Sequence, residues 1–223
     1  MEPRYERNVP ALTETECDLL RRKRVLVVGC GGLGGHLIDM LARVGVGAIR
    51  AVDGDVFEPS NLNRQLLAEV PLLGMNKAKV AAARVARVNP NVKIEAVEEF
   101  MTESNAHRLI LSCDAVLDGL DNIRSRKTLA RACADAKIPY IYGAVSGWVA
   151  QAAVSMPGDH LMDMLYPDET VIREKSVLSF TPALCASMQI ALCVKLLTGR
   201  PVETGRILYF DLLNQEFETI AMV

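Results

Sequence analysis

The chain has no Cys-X-X-Cys pair, although it contains six cysteines: Cys17, Cys30, Cys113, Cys133, Cys185 and Cys193. Cysteines at that spacing are typical of zinc sites and redox-active thiols. Several of these cysteines lie instead in apolar helical or strand patterns, where a reduced and buried thiol is ordinary. We therefore expect reduced cysteines and a cytoplasmic location.

A strong charge imbalance and a long apolar segment are also missing. The chain has 25 Lys and Arg against 27 Asp and Glu, whereas nucleic-acid-binding domains are typically basic. The first residues, Met1–Arg7, are charged, and the longest apolar stretches fall short of the roughly 20 residues that span a bilayer. We expect no nucleic-acid partner, no signal peptide and no membrane anchor.

Short β-branched runs alternate with longer Ala- and Leu-rich segments of helical period. This alternation predicts a mostly parallel α/β sheet with helices on both faces. The predicted strands are Arg24–Val28, Ile49–Asp53, Val92–Val97, Ala115–Leu117 and Tyr140–Tyr142. The predicted helices are Gly34–Val44, Lys77–Asn89, Glu103–Leu111, Arg124–Ala136 and Thr181–Leu197. The sequence has no repeat, low-complexity tract or linker, so residues 1–223 are predicted to form one domain.

The pattern changes after Tyr142. Trp148–Met156, Ile207–Asp211 and Glu216–Ile220 alternate in polarity and predict antiparallel strands in the C-terminal part. The connection from Pro157 to Ser179 is long and has weak periodicity. A connection of this length inside a domain is more often functional or mobile than idle.

A glycine-rich turn, Gly29-Cys30-Gly31-Gly32-Leu33-Gly34, joins the first predicted strand to the first predicted helix. One glycine permits the tight turn, another lets phosphate approach the backbone, and a third lets helix and strand pack closely. Asp53 ends the next strand, where an acid accepts hydrogen bonds from ribose hydroxyls. We therefore predict a Rossmann-like nucleotide site formed by Gly29, Gly31, Gly32, Gly34 and Asp53. The alternative is a turn that only packs, followed by a solvated acid.

Two cations and two amides follow the ribose acid: Asn61, Arg64, Gln65 and Lys77. A redox dinucleotide has no obvious need for this charge, whereas the phosphates of a nucleoside triphosphate must be neutralised before one is attacked. Lys77 begins a predicted helix, where a cation is unfavourable unless an anion pairs with it. We therefore assign the four residues to phosphate binding. Alternatively, Arg64 and Lys77 are solvated surface charges.

Two further acids are candidates for metal binding. Asp55 follows the ribose acid and supports its loop, helps to hold a metal or is simply exposed. Asp121 and Asn122 follow the fourth predicted strand, at the edge where open parallel sheets bind ligands. Because Mg²⁺ prefers oxygen ligands together with substrate phosphates, Asp121 is the predicted Mg²⁺ ligand and Asn122 its neighbour in the site. Alternatively, one of the two caps the helix that begins near Arg124.

The chain resembles the MoeB/ThiF/HesA family in five ordered segments: GCGGLGG, AVDGDVFEPSNLNRQ, GMNKAKVAAARVARVNPNVKI, VLDGLDNIRSR and IPYIYGAVSGWVAQ. Enzymes of that family are similar to the adenylation domain of ubiquitin-activating enzymes. The resemblance implies that ATP·Mg²⁺ adenylates the C-terminal Gly-Gly carboxylate of a small ubiquitin-like sulfur carrier of the MoaD or ThiS type, with release of pyrophosphate. It also implies a nucleotide-binding part at residues 24–143 and a carrier-binding and crossover part at residues 144–223.

The resemblance assigns roles to individual residues. Gly32 lies in the phosphate loop, Asp53 binds ribose, Asn61 and Arg64 contact phosphates, Lys77 holds phosphate charge and Asp121 coordinates Mg²⁺. Arg7 matches an arginine that the family's dimers insert into the neighbouring subunit's site, which implies a homodimer. The implied catalytic residues are therefore Arg64, Lys77, Asp121 and Arg7. They would act by positioning and charge neutralisation rather than as a base.

Two features of many family members are missing. The segment Gly158–Asp163 replaces the first Cys-X-X-Cys pair of a structural zinc site, and the sequence ends at Val223 before a second. His160 and Asp163 alone do not supply the four ligands that zinc requires, so we expect no structural zinc. The crossover segment 168–176 has no cysteine for a covalent link to the carrier, and Cys185 is expected to face the core together with Cys193. Adenylation is therefore expected, with sulfur coming from another protein or from sulfide.

Two other functions stay open at this point. A cyclase or dehydratase that acts on a modified tRNA base also adenylates a carboxylate, although the acidic balance of the chain disfavours an RNA substrate. An NAD(H)-linked oxidoreductase or a nucleotide-sensing scaffold would use the same glycine turn. In that case Arg64 and Lys77 are surface residues and no pyrophosphate is released. The pathway also stays open among molybdenum or tungsten cofactor, thiamine and sulfur-containing amino acid synthesis.

Overall fold

The computed structural model describes residues 2–167 and 176–222. Within these residues one sheet contains eight strands: β1 Arg24–Val28, β2 Ala48–Val52, β3 Lys93–Val97, β4 Ala115–Asp118, β5 Tyr140–Ser146, β6 Val149–Ser155, β7 Arg206–Asp211 and β8 Glu216–Ala221. Their spatial order is β3-β2-β1-β4-β5-β6-β7-β8. The pairs from β3 to β5 are parallel, and those from β5 to β8 are antiparallel. The predicted Rossmann-like class, with antiparallel strands in the C-terminal part, is confirmed.

The described α-helices are α1 Glu14–Leu20, α2 Gly32–Val44, α3 Lys77–Val88, α4 Ala106–Ile110, α5 Ile123–Asp135, α6 Leu161–Leu165 and α7 Phe180–Thr198. Short 3-10 helices occur at Pro3–Asn8, Pro59–Asn61 and Val70–Leu72. Side chains of β1 alternate between the two faces of the sheet. Val25 and Val27 join a core with α2, α3 and α7, whereas Leu26 and Val28 join a core with α4 and α5. Helices therefore cover both faces, as the sequence pattern predicts.

The chain order places the ligand-binding edge next to β1. The chain runs outward from β1 through β2 to β3, and then returns to the other side of β1 to form β4. In open parallel sheets such a reversal leaves a crevice at the carboxyl ends of the two strands where the order changes. The glycine turn after β1 and the acidic segment after β4 both leave the sheet at that crevice.

Several boundaries differ from the predicted ones. The predicted helix Glu103–Leu111 is shorter, because Asn105 accepts a hydrogen bond from the Thr102 N–H in a turn before α4 begins. The predicted strand ending at Tyr142 continues to Ser146, since it pairs with β6 in a hairpin. The sequence reading missed α1, and it missed α6 within the connection from Pro157 to Ser179. Residues 168–175 of that connection lie outside the described part of the chain.

The helix α7 is long and apolar enough, by length and composition alone, to cross a membrane. It has 19 residues and a mean hydropathy of 1.6 over its most apolar window, half of which is buried within the fold. It packs against α2, β5 and β6. A helix in the core of an α/β domain has the same length and composition as a membrane span, so these two properties do not distinguish them.

Candidate nucleotide-binding site

The glycine turn packs closely against the loop that follows β4. Gly29 has a φ of +88°, and a Cβ added there would lie 2.5 Å from the carbonyl oxygen of Gly119. A Cβ on Gly34 would lie 1.7 Å from the carbonyl oxygen of Gly29. Gly31 is the N-cap residue of α2, which begins at Gly32. The turn therefore presents the N-terminal N–H groups of a 13-residue helix to the crevice, an arrangement that binds anions.

Asp53 connects the glycine turn with the segment that follows β2. Its Oδ2 atom accepts a hydrogen bond from the Cys30 N–H at 2.7 Å, and its Oδ1 atom accepts one from the Asp55 N–H at 2.9 Å. Burial raises the pKa of Asp53, and the two backbone hydrogen bonds partly oppose that shift. The acid predicted to bind ribose therefore also fixes the two loops on either side of it.

Lys77 is a buried cation and not a solvated surface charge. It begins α3, its side chain is only 7% exposed, and its Nζ atom forms an ion pair with the carboxylate of Asp55. Burial raises the pKa of Asp55, but hydrogen bonds from Lys77 and from the Val56 N–H more than offset this, so the pKa is lowered. The side chain of Asn76 caps α3 and also donates hydrogen bonds to the carbonyl oxygens of Asp53 and Asp55. The amino end of α3 is therefore tied to the ribose acid.

The loop after β2 brings Arg64 and Gln65 to the glycine turn. A Cβ on Gly32 would lie 3.9 Å from Arg64 Cγ, and one on Gly31 would lie 3.4 Å from Gln65 Nε2. The guanidinium of Arg64 donates hydrogen bonds to the Ser60 carbonyl oxygen and to Asn63 Oδ1, each at 2.9 Å. Both groups predicted to bind phosphate therefore lie beside the start of α2.

Gln65 has an unsatisfied polar atom. Its side chain is buried, and its Oε1 atom has no hydrogen-bond partner among the described residues. An unpaired buried polar atom costs about 1–3 kcal/mol, so the contact of Gln65 with a bound phosphate stays a prediction that this atom favours. Asn61 differs, because its Oδ1 atom accepts the Glu58 N–H at 3.0 Å and stabilises the loop itself.

The acidic segment after β4 forms the other wall of the crevice. The carboxylate of Asp121 interacts with that of Asp55 and slightly opposes the lowering of the Asp55 pKa. Asn122 is the N-cap of α5, since its Oδ1 atom accepts the Ser125 N–H at 2.9 Å. The helix-capping alternative is therefore correct for Asn122, whose contact with a nucleotide stays a prediction. An open cavity of about 440 Å³ lies beside this segment and is lined by residues 101–104 together with Arg124, Ser125 and Thr128.

Sequence reasoning missed a buried pair beneath the same segment. Asp118 ends β4 with no exposed surface, and the Nε atom of Arg126 lies 3.3 Å from its Oδ2 atom. Burial lowers the pKa of the Arg126 guanidinium, but Asp118 together with Tyr140, Tyr142 and Tyr166 outweighs burial, so the pKa is raised. The sequence signal that could have revealed this pair is the presence of an acid, Asp118, and an arginine, Arg126, on either side of Asp121.

Arg7 lies away from the other predicted site residues. The Asn8 side chain donates to the carbonyl oxygen of Val44 at 3.3 Å, and Tyr5 packs so close to Gly45 that a Cβ there would lie 2.5 Å from its ring. The segment that contains Arg7 is therefore anchored at the C-terminal end of α2. The glycine turn is at the other end of that helix, about 20 Å away at 1.5 Å per residue.

The cysteines are all buried. Cys185 and Cys193 have no exposed surface, which confirms their predicted place in the core, and burial raises the pKa of each to about 12. Cys30, within the glycine turn, also has a raised pKa because of burial. A protonated, inaccessible thiol is a poor nucleophile. His160 and Asp163 lie at the amino end of α6 with both side chains more than half exposed.

The chain is similar in sequence to proteins of one known family. The model of the ThiF family matches residues 5–222. A Haloferax volcanii protein named SAMP-activating enzyme E1 is 37% identical over 90% of this chain and 77% of its own length. A Thermus thermophilus sulfur carrier protein adenylyltransferase is 31% identical over 98% of this chain and 86% of its own length.

A Mycobacterium tuberculosis protein named probable adenylyltransferase/sulfurtransferase MoeZ is 34% identical, and this chain spans 59% of its length. The crystal structure of E. coli MccB with ATP superposes with a TM-score of 0.85 at 21% identity, covering 100% of this chain and 72% of that one. At that identity the likeness concerns the fold alone.

Proposed function

Because the chain belongs to the ThiF family, we propose that it transfers the adenylyl group of ATP to the C-terminal Gly-Gly carboxylate of a small ubiquitin-like sulfur carrier. The observation that carries this proposal is the buried Lys77 at the start of α3, beside the glycine turn. Its ammonium pairs with the carboxylate of Asp55, and the triphosphate of ATP supplies further anionic partners for a cation at a helix start. The names of the relatives from Haloferax and Thermus support the same reaction class.

The nucleotide is held by its phosphates and its ribose. Gly31 and Gly32 leave room for phosphate at the amino end of α2, and the side chains of Arg64 and Gln65 border that space. Asp53 accepts hydrogen bonds from the ribose hydroxyls while it holds the turn. These contacts orient the α-phosphate towards the side from which the carboxylate of the carrier arrives.

The reaction exchanges one phosphorus–oxygen bond for another. A carboxylate oxygen of the carrier attacks the α-phosphorus and forms a new P–O bond. The bond from that phosphorus to the bridging oxygen of the β-phosphate breaks, and pyrophosphate leaves with the electron pair. Since no proton has to be removed from the nucleophile, Lys77 and Arg64 serve to neutralise developing negative charge and not as bases.

Asp121 and Asp55 fit a magnesium ion bound together with ATP. Both contribute carboxylate oxygens at the same edge of the sheet, and Mg²⁺ is usually held by one or two carboxylates plus substrate phosphates. The described residues contain no cluster of three or more ligating side chains, which agrees with an ion whose other ligands are phosphates and water. When bound, the ion would neutralise phosphate charge.

A homodimer would bring Arg7 to a nucleotide. In its own chain Arg7 is anchored at the far end of α2, beyond the reach of an arginine side chain. A two-fold related copy would place the same segment against the partner's crevice, and both sites would gain one cation because such an interface is symmetric. Arg7 is therefore assigned to the neighbouring site.

Carrier-dependent exchange of labelled pyrophosphate into ATP tests this function. Lys77→Ala is expected to lower the exchange at least about 100-fold, because a cation that stabilises transition-state charge is lost. Lys79→Ala is the matched control, since Lys79 is exposed on the same helix. Near-normal exchange by Lys77→Ala, or exchange that does not require a Gly-Gly carrier, would contradict the proposal.

A further inference from the structure

The backbone of Leu120 is held at both its N–H group and its carbonyl oxygen by the buried pair of Asp118 and Arg126. Its N–H donates to Asp118 Oδ1 at 2.8 Å, and its carbonyl oxygen accepts a hydrogen bond from Arg126 Nη2 at 2.7 Å. Leu120 directly precedes Asp121 in the sequence. The position from which the carboxylate of Asp121 enters the crevice is therefore set by Asp118 and Arg126.

Other elements fix the pair itself. Tyr140 donates its hydroxyl hydrogen to Asp118 Oδ2 at 2.7 Å, and Gln189 of α7 donates to the Asp118 carbonyl oxygen at 2.9 Å. Arg126 Nη1 donates to the hydroxyl of Tyr166 at 3.4 Å, and its guanidinium lies 5.4 Å from the centre of the Tyr142 ring. Arg126 is 6% exposed, so its guanidinium lies beneath the loop and not in the crevice.

A buried ion pair adds little net stability to a fold, because desolvation offsets most of the attraction between the charges. Apolar side chains of similar volume would serve stability as well. What the pair supplies is geometry: the charge of the guanidinium faces the Asp118 carboxylate, while two of its nitrogens donate hydrogen bonds to the Leu120 carbonyl oxygen and to the Tyr166 hydroxyl. A lysine has a single terminal nitrogen and cannot reproduce this fixed fork.

We propose that Arg126 is a positioning residue that fixes the Asp121 carboxylate for Mg²⁺·nucleotide binding, acting through the Leu120 peptide. The inference rests on the proposed function, because that function gives Asp121 its metal. Residues that orient a metal ligand from behind typically contribute tenfold to a hundredfold to metal affinity or activity. Arg126 therefore governs the effect of Mg²⁺ on the site, whereas the glycine turn and Asp53 govern binding of the nucleotide itself.

The test measures binding of α,β-methylene ATP by calorimetry, first in EDTA and then over a Mg²⁺ series. Arg126→Lys is expected to bind the metal-free nucleotide as the unchanged protein does and to require at least about tenfold more Mg²⁺ for half-maximal enhancement. Carrier-dependent exchange should show the same shift in its Mg²⁺ dependence. If Arg126→Lys folds and its Mg²⁺ dependence is unchanged, the proposal is overturned.

Two variants separate positioning from simple loss of stability. Asp39→Asn disrupts a different buried acid, which accepts hydrogen bonds from Arg43 at 2.6 Å and Arg84 at 2.8 Å. It is expected to lower the melting temperature without changing the Mg²⁺ dependence. If Arg126→Lys does not fold, Tyr166→Phe decides the matter, since it removes one partner of the guanidinium. A rise in the Mg²⁺ requirement of Tyr166→Phe supports positioning, and an unchanged requirement overturns it.

The same measurements distinguish failure of this inference from failure of the proposed function. If no carrier supports pyrophosphate exchange but Mg²⁺ still enhances nucleotide binding through Arg126, the reaction assignment is wrong and the positioning role stands. If exchange occurs with normal Mg²⁺ dependence in folded Arg126→Lys, the reaction stands and the positioning role fails.

Discussion

A Cβ atom on Gly34 would lie 1.7 Å from the carbonyl oxygen of Gly29. The two ends of the turn therefore touch, and the start of α2 packs on the end of β1 only because position 34 has no side chain. Gly32 is different. A Cβ atom added there would lie no closer than 3.7 Å to the ring of Pro182 and 3.9 Å to the side chain of Arg64, which are ordinary contacts. One glycine serves packing, and the other leaves space.

This contrast predicts opposite behaviour for two alanine substitutions. Gly34→Ala is expected to lower the free energy of unfolding by at least about 3 kcal/mol, because backbone has to move to relieve the overlap. Gly32→Ala is expected to fold with unchanged or slightly greater stability, since alanine favours helix, and to bind ATP at least about tenfold more weakly. Urea unfolding and calorimetric ATP titration measure the two effects. Normal ATP affinity in Gly32→Ala would remove Gly32 from the phosphate site.

The ion pair of Asp55 and Lys77 predicts that bound ATP restores part of the stability that is lost when Asp55 is removed. Asp55→Ala leaves the buried ammonium unpaired, and we expect a loss of about 1–2 kcal/mol, below the value for fully buried pairs because Asp55 is itself half exposed. ATP in EDTA supplies a new anion, so it should raise the melting temperature of the variant more than that of the unchanged protein.

The control for this experiment is Asp114→Ala. It breaks an ion pair with Lys23 at 3.1 Å and a hydrogen bond from the Arg24 N–H, both away from the crevice. It is expected to reduce stability while the increment from ATP stays unchanged. An equal ATP increment in Asp55→Ala and the unchanged protein would mean that phosphate does not approach Lys77.

Periodicity and turn chemistry made most of the parallel half of the fold predictable. The apolar run before Gly29 and the helical pattern after Lys77 depend on local sequence, and both elements lie where the pattern predicts them. The short helix α1 was missed because it has only seven residues and is stabilised by its ends. Thr13 and Glu16 form a capping box, and Glu16 pairs with Arg200 far along the chain. Such a distant partner leaves no periodic signal.

The residues of the candidate site also fall into two groups: those that sequence spacing reveals and those whose role depends on distant contacts. The glycine turn, Asp53 and Lys77 are recognisable because spacing along the chain determines their chemistry. The role of Arg126 is not, because its importance arises from contacts with Leu120 six positions earlier and Tyr166 forty positions later. Arg7 illustrates the opposite case: a family resemblance marks it, while the fold of one chain places it far from its own site.

Glu16, in the first turn of α1, predicts that the stability of the protein depends on pH. Hydrogen bonds from Arg200 and from the Thr13 N–H lower the pKa of Glu16 from 4.5 to about 2. Because the folded-state pKa lies below that of the unfolded chain, the stabilisation by Glu16 is complete above pH 4.5 and is lost as the pH falls towards 2.

Glu16→Gln should therefore be less stable than the unchanged protein at pH 7, and the difference should shrink between pH 4.5 and pH 3. Urea unfolding at several pH values measures this. Glu14→Gln removes a charge from the same helical turn without touching the capping box, so it should have the smaller effect. A difference for Glu16→Gln that does not vary with pH would contradict the role of this carboxylate.

The assignment of Arg7 to a neighbouring site predicts that two inactive variants restore activity when they are mixed. Arg7→Ala and Lys77→Ala are each expected to be inactive alone, because every site in either homodimer lacks one cation. In a mixed dimer one site combines Lys77 of the first chain with Arg7 of the second, and is complete. Random subunit exchange should therefore restore about a quarter of the sites, as two-fold symmetry requires. Pyrophosphate exchange measured before and after mixing, with sedimentation to establish the dimer, checks this. If mixing restores nothing although subunits exchange, Arg7 does not act across an interface.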